Sequence, residues 1–80
     1  INMMEQVLLD RINDIVNAPA TDRQKIDGLL ELDAQLYTEL GVDSTKADKV
    51  ETRRKSRIIY REIRSIDKKD GNLLLNHLDK

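Results

Sequence analysis

Apolar residues recur at helical rather than strand spacing from one end of the chain to the other. Met4, Leu8, Ile12 and Ile15, with Val7 and Val16 beside them, predict a first helix over about residues 3–17, and Asn2 with Glu5 is compatible with a capping box at its start. Ala18-Pro19 stops it, because proline donates no backbone hydrogen bond and restricts the residue before it. Thr21 and Gln24 form a second capping box, followed by Ile26, Leu29, Leu30, Leu32, Leu36, Tyr37 and Leu40, a wide apolar stripe on a helix that Gly41 is expected to close in the left-handed conformation. Gly28 lies inside that helix at a cost of roughly 1 kcal/mol relative to alanine. Close approach of another helix and a tolerated surface glycine are equally good accounts of it.

A third helix is expected to begin near Asp43, Ser44 and Thr45, any of which can cap, and to run to Asp67 or Lys69, placing Lys68 and Lys69 against the negative end of its dipole. Its apolar residues fall into two groups, Ala47 with Val50 and then Ile58, Ile59, Ile63 and Ile66, separated by the polar run Glu51-Thr52-Arg53-Arg54-Lys55-Ser56-Arg57. The groups point in directions more than a right angle apart, so the two halves are expected to pack against different things, one of them a candidate for contact with another subunit. Asp70-Gly71-Asn72 reads as a turn, after which Leu73, Leu74, Leu75 and Leu78 build a short last helix. Those leucines either cover the end of the core or meet a neighbour. With no strand signal, repeat or linker, the expected architecture is all-α, a small bundle of three helices plus a short C-terminal helix in a single domain over residues 1–80.

Composition narrows the picture. The chain has no Phe, Trp or Cys, and Tyr37 and Tyr60 are its only large aromatic side chains, so the core must be aliphatic and without disulfide support. A domain of this size buries a modest share of its surface, which makes self-association or partner binding a natural source of further burial, and a dimer or higher oligomer is expected. The opening segment is interrupted by Glu5, Asp10, Arg11 and Asp14, so it reads as neither a signal peptide nor a membrane span, and a cytoplasmic protein without membrane insertion is expected. The start at Ile1 suggests that a residue or two precede it naturally.

Charge is divided along the chain. Residues 1–45 hold nine acidic side chains against three basic, a balance of -6, while residues 46–80 hold eleven basic against six acidic, a balance of +5. Lys46, Lys49, Arg53, Arg57, Arg61 and Arg64 fall in one sector of the third helix, and with Ile58 they form the candidate partner-binding site. Such a face suits an acidic segment of another protein, a second copy offering Glu31, Glu39 and Asp43, or a nucleic acid, and a solvated surface is the plain alternative. In the protein-docking version Ile58, Ile59, Ile63 and Ile66 supply the apolar seam.

Catalytic chemistry is not evident. His77 is the one histidine and has no ligand-spaced companion, Asp67, Asp70 and Asn72 lack the rest of a calcium loop, and Gly28, Gly41 and Gly71 are too scattered for a phosphate loop. No enzyme activity, cofactor or metal is expected.

Leu36 through Thr45, with its Leu-Gly-Val turn and polar cap, resembles a helix-turn-helix, which implies Lys46, Lys49 and Arg53 on a recognition helix and a DNA-binding transcriptional regulator as the alternative function. Taken whole, the short, cysteine-free chain rich in Ile, Asp, Asn and Lys is similar to the lysis-inhibition accessory proteins of T-even phages. That resemblance implies a non-catalytic cytosolic regulator, in the host cell, that works with the antiholin by binding the cytosolic part of the holin.

Overall fold

The computed structural model describes residues 3–79, and side chains from Glu5 onward. The order is α1 (Met3–Val16), α2 (Asp22–Thr38), α3 (Lys46–Ile66) and α4 (Lys68–Leu78), and among the described residues all regular structure is helical. The capping box expected from Asn2 and Glu5 lies outside the described residues.

Two of the expected starts are set by side chains. The Gln24 amide donates to Thr21 Oγ1 at 3.1 Å and the Thr21 amide donates to Gln24 Oε1 at 3.0 Å, closing a reciprocal box at the head of α2. At α3 the choice among three candidate caps falls on Thr45, whose Oγ1 accepts from the Asp48 amide at 3.1 Å while the Thr45 amide donates to Asp48 Oδ2 at 3.0 Å. The end of α2 differs from expectation. The helix stops at Thr38 with Glu39 as its cap, and no glycine has positive φ, so Gly41 does not close it in the left-handed conformation.

The larger revision concerns the last third of the chain. α3 ends at Ile66 because Asp67 is extended (φ -139, ψ 105), and the same residue caps α4 by accepting from the Asp70 amide at 3.1 Å. Asp67 is therefore the turn, and Asp70-Gly71-Asn72 lies inside a helix. Lys68 and Lys69 consequently occupy the first turn of α4, the positive end of its dipole, rather than the favourable end of α3. α4 then folds back along α3. A Cβ on Gly71 would sit 2.2 Å from Arg64 Cα, so the two backbones approach where only glycine fits.

The core is formed by Leu8 and Ile12 of α1, Ile26, Leu29 and Leu32 of α2, and Ile59 and Ile63 of α3, with Leu74 of α4 packed against them. Gly28 sits where α2 faces α1. A Cβ there would meet Ile15 Cγ2 at 3.3 Å, a tight but negotiable distance, so close approach is the better of its two accounts. Of the two apolar groups on α3, the second supplies the core and the first does not, since Val50 is 59% exposed and Ala47 lies on the surface. No described helix is long and apolar enough to cross a membrane.

Candidate docking edge and the cleft beside it

α3 carries the candidate site, and its rotation about its own axis decides which side chains remain available. Thr52, Ser56, Ile59 and Ile63 face inward, which leaves Lys46, Lys49, Arg53, Arg61 and Arg64 exposed along one edge. Among the described residues none of these five forms an ion pair. Arg57 does: its Nη2 donates to Asp79 Oδ1 just beyond α4, so one member of the row already has an acidic partner in its own chain. Arg64 sits over Gly71, with its backbone in the α3–α4 contact and its side chain outside. Ile58 is half-buried and packs against the core, as does Ile66, while Ile59 and Ile63 are fully interior. The apolar seam expected along the arginines is thus committed largely to the chain's own fold.

The polar run 51–57 proved to be more than a solvated gap. Ser56 is 0% exposed and donates from Oγ to Asp33 Oδ1 across the α2–α3 interface. Tyr60 Oη donates to the other oxygen, Asp33 Oδ2, at 2.7 Å. A carboxylate that is 8% exposed is tolerable only with such partners, because an unpaired buried charge costs several kcal/mol. Among the described residues no buried side-chain polar atom lacks a partner. Burial, and after it the hydrogen bond and charge of Asp33, pushes the Tyr60 phenol up to about 12, against the opposing effect of the Ser56 hydroxyl.

Arg54, which the sequence does not place in the row, bridges two helices. Its Nη1 donates to Glu5 of α1 at 2.8 Å and its Nη2 to Glu51 of α3 at 2.7 Å. The hydrogen bond from Arg54 holds the Glu51 carboxyl below the usual carboxylate range.

Beside the basic edge lies an open cleft of about 680 Å³. α2 contributes Asp33 and Tyr37, α3 contributes Lys49, Arg53 and Tyr60, and α4 contributes His77 and Leu78, with Leu40 from the α2–α3 connection. Both tyrosines and the single histidine of the chain therefore meet two of the row's cations in one place. Sequence reasoning found the cations and missed the cleft. The available signal was the spacing of 52, 56, 59 and 63, which continues the isoleucine face of α3 through two small hydroxyl residues and so marks them as interior.

The chain matches no protein-family model, no curated protein and no solved structure.

Proposed function

We propose that this chain is a non-catalytic regulatory adaptor or inhibitor that acts in the cytoplasm by binding another protein along the cationic edge of α3. The observation that carries the reading is the contrast within one row: Arg57 is held by Asp79, whereas Lys46, Lys49, Arg53 and Arg61 are exposed and form no ion pair among the described residues. Four like charges on one helix edge repel one another, and an acidic surface relieves that repulsion while steering association. An acidic protein segment suits the edge better than a duplex does. Residues 39–45 make a longer connection than the short turn of a helix-turn-helix.

In its most specific form the proposal is phage lysis inhibition, with the cytosolic part of a holin as the bound segment. Self-association belongs to the same reading. Val50 and Leu73 (61% exposed) offer apolar surface to a second copy. The test is capture from the native host with the wild-type chain and with Arg53→Glu/Arg61→Glu, each with and without nuclease. A nuclease-resistant partner lost in the variant supports the reading, and nuclease-sensitive capture returns the DNA-binding alternative.

A further inference from the structure

We propose that the cleft between Tyr37 and Arg53 is the anchor pocket of this docking edge, and that it takes an apolar side chain flanked by carboxylates from an acidic peptide segment. The inference rests on the docking reading above and adds where the partner is gripped.

Three properties of the cleft select that occupant. Its volume, about 680 Å³, falls within the range of roughly 300–1,000 Å³ over which clefts hold ligands, and exceeds what one side chain fills. Its lining joins two kinds of surface. Leu40, Leu78 and the ring of Tyr37 offer apolar contact, and Lys49 and Arg53 supply cations without an ion pair among the described residues. An anchor residue gains from the first surface and its acidic neighbours from the second, which is how binding energy concentrates at few positions.

The third property argues against a free phosphate or nucleotide. The one carboxylate lining the cleft, Asp33, repels a multiply charged anion, and α4 presents its C-terminal, negative end there through His77 and Leu78. No glycine-rich loop offers a row of amides. A segment that brings single carboxylates to Lys49 and Arg53 and an apolar residue to Leu40, Leu78 and Tyr37 sets less negative charge against Asp33 than a phosphate does. Asp33 itself remains fixed by Ser56 and Tyr60 and shapes the inner wall.

The chain carries its own reporter, since Tyr37 and Tyr60 are its only fluorophores and both line the cleft. A short capped peptide of glutamate and leucine, itself without aromatic residues, is titrated into the full chain and followed by tyrosine fluorescence. Saturable binding is expected, at least about tenfold weaker when glutamine replaces glutamate or serine replaces leucine, a loss of about 1.4 kcal/mol in each case. The same loss is expected in Lys49→Glu/Arg53→Glu and not in Lys68→Glu/Lys69→Glu, an exposed pair in the first turn of α4 that lines neither the edge nor the cleft and carries the same change of charge. All four residues are exposed, and unchanged thermal melts confirm that both variants fold.

Absence of saturable binding, or displacement of the peptide by inorganic phosphate, overturns the cleft proposal and leaves the docking reading to its own capture experiment. Equal weakening in both double variants overturns the cleft, because the loss then follows net charge alone. No weakening in either overturns it as well, because the peptide then binds elsewhere.

Discussion

Tyr60 of α3 donates its phenolic hydrogen to Asp33 Oδ2 of α2 at 2.7 Å, and through that bond the inner wall of the cleft becomes part of the fold. The opposite oxygen is held by Ser56, so a single carboxylate joins two helices. Removing one donor leaves the charge under-satisfied in a site with little access to water. Ser56→Ala should therefore cost about 1–3 kcal/mol and Tyr60→Phe about 1 kcal/mol, measured by chemical denaturation.

Burial of Tyr60, with that bond beside it, gives the protein an alkaline limit. Because the fold favours the protonated phenol, raising it from 10.0 to about 12, this contribution is complete below pH 10 and disappears as pH rises through 12. Stability of the wild type minus that of Tyr60→Phe should be constant from neutrality to pH 10 and shrink above it. A difference that stays flat through pH 12 would show that the phenol is not held.

Two glycines in helices should respond oppositely to alanine. At Gly71 the new methyl would overlap Arg64 Cα at 2.2 Å, backbone against backbone, so α4 must shift away at a cost of about 1–3 kcal/mol or more. At Gly28 the nearest atom is the Ile15 Cγ2 methyl at 3.3 Å, which needs to give by only a few tenths of an ångström, and the gain in helix propensity, roughly 1 kcal/mol, should leave stability unchanged or raised. Thermal melts of the two variants check the contrast. A secondary consequence is that Gly71→Ala should also free Asp79 from Arg57.

Capping makes a third, independent demand. Thr45→Ala removes the acceptor for the Asp48 amide and should cost about 1 kcal/mol without altering peptide binding in the cleft.

Self-association is testable by sedimentation. The apparent mass should rise with concentration, and Leu73→Glu should reduce that rise; a mass fixed at one chain at all concentrations refutes it.

All four helices were legible in the sequence because an aliphatic core at helical spacing leaves few alternatives, and Thr21 with Gln24 marked a start accurately. The α3–α4 corner was not. Asp-Gly-Asn carries the local chemistry of a turn, yet Gly71 is needed for close packing, a tertiary demand that no local pattern reveals, while the true corner at Asp67 looks like one more charge among lysines. The cations of the site were legible as a periodic row, but the partner of Arg57 and the bridge from Arg54 to Glu5 depend on which helices become neighbours. Ser56 and Thr52 were hidden by their polarity, being interior residues whose cost is offset by a carboxylate elsewhere in the chain or by their own small size.

The claim that the exposed cations of α3 form a protein-docking edge is tested most directly by capture with Arg53→Glu/Arg61→Glu against the wild type, after nuclease treatment and at low and high salt. The account predicts a partner that survives nuclease, weakens with salt and is absent from the variant. Equal recovery of that partner by both chains would contradict it.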